Sequence, residues 1–243
     1  RAIYPATKPE FADLLGAAAK WAEVVARRPG GCGLPATVAR WARFTEADLE
    51  RERRLVLVPM KIQAAGARRD WAEMDAITEA CAADLAAAPF SLAAWAVHAE
   101  RARLLEGAGR LEDAEGDLLK SAARADAMGS SRRAGIAWDR AAKCAFEAAR
   151  WAQARERAAR AIAAFTSCGS LGNLPALRNN VASSLLREGR IADARLAAER
   201  VLTDAALAPP ERSRALQTIA DARIVEGDVP AARRAFAEAV DVL

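Results

Sequence analysis

Apolar and polar positions along most of this chain recur with the period of a helix. The stretch 134–149, "AGIAWDRAAKCAFEAA", places Trp138, Ala141, Ala142 and Ala145 at i, i+3, i+4 and i+7. That is the stripe of a helix that buries one face. A second helical stretch, "WAQARERAARAIAAF" (151–165), follows at once. The breaks carry residues that suit them. Gly189 and Gly227 fall between helices, where a left-handed or turn conformation is needed. Pro230 opens the last helix, where its missing N–H costs little. "APPERSRA" (208–215) stops one helix and starts another. The pattern predicts an all-α chain without strands, with about ten to twelve helices in antiparallel pairs.

The helical stretches themselves repeat. Trp71, Leu111, Trp151, Ile191 and Val229 occupy one position, at steps of 40, 40, 40 and 38 residues. Three residues later stand Met74, Ala114, Ala154, Ala194 and Ala232. Seven further on come Cys81, Ser121, Ala161, Val201 and Ala239. A fixed period of this size marks a solenoid of helical hairpins. Alanine, the best helix former, dominates the composition, and aromatic residues make up 5%. Cores are therefore expected from close helix–helix contact over small residues, with Ala182 and Ala194 buried.

These positions resemble the tetratricopeptide repeat (TPR) family. Trp138 and Ala142 match the large and small residues of its first helix. Asn180, Val181, Ala182 and Leu185 match the equivalent stretch one repeat later. Gly227, Asp228 and Val229 match its turn, and Ala232, Phe236 and Ala239 its second helix. The resemblance implies a right-handed superhelical solenoid of about five repeats over residues 45–243. Lys61 and Arg101 fall where the family has an apolar residue, and Trp95 fits its pattern only with three extra residues in that hairpin. The period also exceeds the family's usual length of about 34. In this it resembles the longer repeats of maltose-regulator-type transcription factors and of bacterial signal-transduction ATPases.

Residues 1–44 match less well. Phe11, Leu14, Leu15, Ala18, Trp21 and Val25 give 9–28 a helical pattern, "RPGGCGLP" breaks it, and 36–44 reads as a short helix. An N-terminal helical cap or irregular first hairpin is expected there. A new helix then opens with Thr45 as N-cap and Asp48 three residues on.

Charge and candidate chemistry narrow the function. The 36 basic and 32 acidic residues interleave, as in "ERERR" (50–54) and "RARLLE" (101–106), which reads as solvated, salt-bridge-laced helix faces. No dense basic stripe points to nucleic acid. Cys32, Cys81, Cys144 and Cys168 form no C-x-x-C pair, and His98 is the single histidine, so zinc spacing is absent. Cys81 and Cys144 read as small hydrophobes within helical patterns, and nothing calls for disulfides. "GGCG" (30–33) lacks the lysine and strand of a phosphate loop. His98 has no partner that the sequence identifies, and no nucleophile, metalloprotease or dinucleotide motif occurs. The expectation is a non-enzyme without cofactor or metal, cytoplasmic, with no membrane span.

The resemblance implies that first helices line a concave groove. The positions facing it are Asp139, Lys143, Phe146 and Glu147 in the third repeat, Asn179, Ser183, Leu186 and Arg187 in the fourth, and Arg214, Gln217 and Asp221 in the fifth. This mixed surface suits an extended peptide or a partner helix. The lysine and asparagine clamp of family members that hold chaperone tails is not matched by Asp139, Lys143, Asn179 and Ser183. The functions that follow are a protein-interaction scaffold or, as the alternative, the sensor segment of a larger regulator; a helical-repeat RNA binder is the weaker third reading. Val240, Val242 and Leu243 are expected at an open apolar face. Together with a start on Arg1, this predicts a larger chain, or self-association through the C-terminal end.

Overall fold

The computed structural model describes residues 46–204 and 207–243. The expected cap at 1–44, the "GGCG" connector with Cys32 and the Thr45 cap lie outside the described residues. The helices are α1 Glu46–Leu55, α2 Val58–Ala67, α3 Trp71–Ala80, α4 Ala82–Ala87, α5 Leu92–Gly107 and α6 Leu111–Ala127. They continue as α7 Ser131–Glu147, α8 Trp151–Ser167, α9 Leu174–Arg187, α10 Ile191–Leu202, α11 Pro209–Val225 and α12 Val229–Asp241. No strand occurs among the described residues. Five hairpins follow one another: α2/α3, α5/α6, α7/α8, α9/α10 and α11/α12. Each packs against the next, so all contact is local in sequence.

One backbone device closes every hairpin. Arg69, Gly109, Ala149, Gly189 and Gly227 have φ of 58°, 75°, 58°, 76° and 81°. The next residue's N–H then donates to a carbonyl five residues back: Asp70 to Ala65 at 3.0 Å, Arg110 to Leu105 at 2.9 Å, Arg150 to Ala145 at 2.8 Å, Arg190 to Leu185 at 2.9 Å, and Asp228 to Arg223 at 2.9 Å. This is the Schellman closure, which satisfies carbonyls at a helix end. Two of the five positions lack glycine and hold a Cβ in the left-handed region. Ala149 is exposed and its methyl supports nothing else. Ala149→Gly is expected to raise stability by about 0.5–1 kcal/mol, read by urea unfolding, and Gly189→Ala to lower it by a similar amount.

The core is built from small side chains, as the composition implies. Ala182 and Ala194 are fully buried, as expected. Larger residues concentrate toward the first hairpins, where Leu55, Ile62, Met74, Val97, Leu105 and Leu118 form one cluster. Phe165 with Leu174 and Leu177 forms a second, and Val201 with Ala182, Ala198 and Ala215 a third.

Three features depart from the sequence pattern. The second helix of the first hairpin is not continuous: it breaks at Cys81, whose thiol donates to the Thr78 carbonyl at 3.2 Å. Arg124 of α6 then closes the short α4 by donating to the carbonyls of Leu85 at 2.6 Å and Ala88 at 2.7 Å. The second hairpin contains no three-residue insertion. His98, not Trp95, stands 40 residues before Trp138, and Trp95 lies half-buried under the Arg133 guanidinium, 5.2 Å from the ring centroid. Finally, "ERERR" is not simply a solvated face. Glu52 is buried and accepts from the Ser91 hydroxyl and from the Ala93 N–H at 2.9 Å, capping α5 from α1. Arg54 reaches Asp84 through two bonds of 2.7 and 2.6 Å.

At the far end, Val229, Phe236, Val240 and Leu243 of the last hairpin are exposed. The residue 38 positions before Phe236 is Ala198, fully buried under the next hairpin.

Candidate functional site

First helices of neighbouring hairpins touch directly in two places, α2 with α5 and α9 with α11. The eleven residues singled out from the sequence belong to three first helices, α7, α9 and α11, and the structure treats them differently.

On α7, the Lys143 ammonium donates to Asp139 Oδ2 at 2.9 Å, so the two form one i, i+4 pair rather than two free charges. The Phe146 ring meets Trp151 edge-on, with centroids 4.8 Å apart. Glu147 is exposed. On α9, Ser183 and Leu186 are half-buried and Arg187 is exposed. Asn179 differs from the expectation, being fully buried with its Nδ2 donating to the Glu211 carbonyl at 2.8 Å. It therefore pins α9 to the start of α11 and offers nothing to a groove. On α11, Arg214 donates to Asn180 Oδ1 at 3.0 Å and Gln217 to the Ser213 hydroxyl at 3.3 Å, while Asp221 is exposed.

The second hairpin holds a polar cluster that the sequence did not reveal. His98 Nδ1 lies 2.9 Å from Asp117 Oδ1, both side chains are buried, and Arg101 bridges Asp117 to Asp75. Arg101 thus fills its apolar repeat position by pairing its charge. The cluster joins α5, α6 and α3 and is closed to solvent at His98 and Asp117. In the next layer Arg140 pairs with Glu106 at 2.7 Å, and the Cys144 thiol donates to Glu106 at 3.6 Å. Burial, with the Glu106 carboxylate second, pushes the Cys144 thiol up to about 12, which favours its protonated form. Among the described residues no group of three or more His, Cys, Asp or Glu side chains could hold a metal ion. No helix among them is long and apolar enough to cross a membrane.

No family profile matches the chain, and no curated protein matches it. Solved structures do. The crystal structure of BtubC (BKLC) from P. vanneervenii superposes with a TM-score of 0.58 at 11% identity, covering 98% of this chain and 91% of that one. The TPR-like repeats of a putative kinesin light chain from Podosopora anserina give 0.58 at 15% identity, covering 79% of this chain and 95% of that one. This chain folds as a TPR-like α-solenoid.

Its TPR-like hairpins leave a pocket of about 450 Å³ between the first and second of them, lined among the described residues by Gly66, Arg69, Trp71, Arg103, Leu104, Gly107 and Ala108. The sequence reading placed no site there. Two glycines line it in different ways. A Cβ on Gly66 would lie 2.6 Å from Leu104 Cδ1, so glycine lets Leu104 lie flat as a wall. A Cβ on Gly107 would meet nothing within 4 Å and would point into open space. The signal that could have found the pocket is Arg69, at the turn position that is glycine in Gly109, Gly189 and Gly227.

Proposed function

We propose that this chain is a non-catalytic protein-interaction module that holds an extended peptide or a partner helix along the inner face of its first helices. The observation that carries this reading is the accessible row on those helices. Lys143, Glu147, Arg187, Gln217 and Asp221 are exposed there, on helices locked by Schellman turns and by buried alanine contacts. A rigid inner face bearing mixed charge and partly exposed apolar groups such as Leu186 suits side-chain pockets along a peptide better than chemistry on a small molecule. The TPR-like fold supports protein partners as the class.

The reading has a direct test. Lys143→Glu combined with Arg187→Glu is expected to weaken capture of a partner in pull-down at least about tenfold while leaving the circular dichroism and thermal midpoint within the range of surface substitutions. Both side chains are exposed, so the fold does not depend on them. Capture unaffected by the double reversal would move the interaction to the outer face.

A further inference from the structure

The pocket between the first two hairpins has a lining with a definite chemical preference. Two arginines, Arg69 and Arg103, line it, and no Asp or Glu is among its described lining residues. Arg103 is engaged by Glu100 at 2.6 Å from outside that lining. Arg69 has no acidic partner among the described residues, although its neighbour Arg68 pairs with Glu73. The rest of the lining is mixed: the Leu104 side chain and the Trp71 indole are apolar, and Gly66, Gly107 and Ala108 complete it.

Arg69 also adopts its conformation at a cost. Its φ of 58° is the left-handed region that three of the five equivalent turns assign to glycine. A strained backbone position beside a cavity is where binding residues are commonly found. The cavity volume falls within the range of pockets that enclose a small group of atoms. It is too small for a helix and large enough for two adjacent side chains.

We propose that this pocket binds an acidic side chain of an extended partner peptide, with the carboxylate held between Arg69 and Arg103 and a neighbouring apolar side chain lying against Trp71 and Leu104. Arg69 is the main contact because its charge is not already spent, and a guanidinium accepts a carboxylate through two parallel hydrogen bonds. The proposal rests on the peptide-binding reading above and adds the partner's chemistry and the end of the solenoid at which it is read.

The test uses the 1–243 chain and fluorescence anisotropy with three labelled synthetic peptides, Gly-Ser-Glu-Leu-Glu-Leu-Ser-Gly and its versions with lysine or glutamine in place of glutamate. Two variants address the pocket without breaking the fold. Arg69→Gly removes the charge and relieves the backbone. Gly107→Leu fills space where a Cβ meets no protein atom. Ala149→Gly, at the corresponding turn two hairpins away, is the control. The acidic peptide is expected to bind the native chain and to bind Arg69→Gly and Gly107→Leu about tenfold more weakly. Arg69→Gly should at the same time raise the thermal midpoint, so lost binding cannot be lost folding. Ala149→Gly should raise the midpoint and leave binding unchanged. The lysine and glutamine peptides should bind at least about tenfold more weakly than the acidic one.

Equal binding of all three peptides, or no binding of the acidic one, overturns the proposal. Binding of the acidic peptide that Lys143→Glu/Arg187→Glu reduces and Gly107→Leu does not would overturn the pocket and keep the groove. The opposite pattern would keep the pocket and remove the groove.

Discussion

Replacing Asp117 with alanine is expected to lower the unfolding free energy by about 3–5 kcal/mol. Asp117 is 1% exposed and its two carboxylate oxygens serve His98 and Arg101 separately. Deleting it leaves a half-buried guanidinium and a buried imidazole without their common acceptor, and water cannot readily replace it. The cost comes from the stranded partners and not from the worth of the ion pair, because a paired charge in the interior gains little over a well-packed apolar group. A second variant separates the two. His98→Leu, Arg101→Leu and Asp117→Leu together remove the buried polar groups, leave only the solvent-accessible Asp75 without its partner, and should recover most of the loss. Urea unfolding monitored by circular dichroism reads both. A loss below about 1 kcal/mol for Asp117→Ala would show that the cluster is open to solvent and does not hold α5 to α6.

The second large effect is expected at Phe165. Phe165→Ala should cost about 3–5 kcal/mol, the range for emptying an aromatic site in a core. Phe165 is 1% exposed, and it is the largest fully buried side chain among the described residues. It fills the space between the third and fourth hairpins, against Leu174 and Leu177 on one side and Gly135 on the other. The glycine is part of the fit, since a Cβ there would lie 2.9 Å from the ring carbons. Gly135→Ala alone is therefore expected to destabilise by overpacking, despite alanine's better helix propensity. In a Phe165→Leu background the same substitution should cost less, because the smaller side chain leaves room for the methyl. A double-mutant cycle by thermal unfolding measures that coupling, and strict additivity would show that the two residues do not share a contact.

The repeat was legible because it is written in local terms. Small residues at Ala154, Ala194 and Ala232, and helix-stopping glycines at Gly189 and Gly227, need no long-range knowledge to interpret. The three departures depend on contacts between helices. Nothing near Cys81 announces a break, and the short α4 beyond it is closed by Arg124, 43 residues after Cys81. Asn179 occupies a groove position in the repeat frame, yet the distance between α9 and α11 brings the Glu211 carbonyl onto its amide. Glu52 looks like one more charge in an interleaved run, and only the approach of the α5 N-terminus gives its carboxylate two donors, the Ser91 hydroxyl and the Ala93 N–H. Arg101 was visible as an anomaly in the frame, but the acids that neutralise it sit on other helices. The pocket escaped because it lies between hairpins, where Leu104 packs against Gly66 and Gly107 leaves open space. The one local mark was an arginine in a turn that otherwise prefers glycine.

The Schellman closures also have a mechanical meaning. Each clips one hairpin to itself, and each hairpin leans only on its neighbours, so tension applied to the two ends would pass through the hairpins in series. Elements in series share one load and yield singly, at the weakest link first. Every later rupture would release nearly the same length, because the spacing of the clips is 40 residues through most of the chain. That is roughly 130–140 Å of extended chain per step. A molecule of this construction stretches like a ratcheted strap, in counted increments and not as a continuous spring.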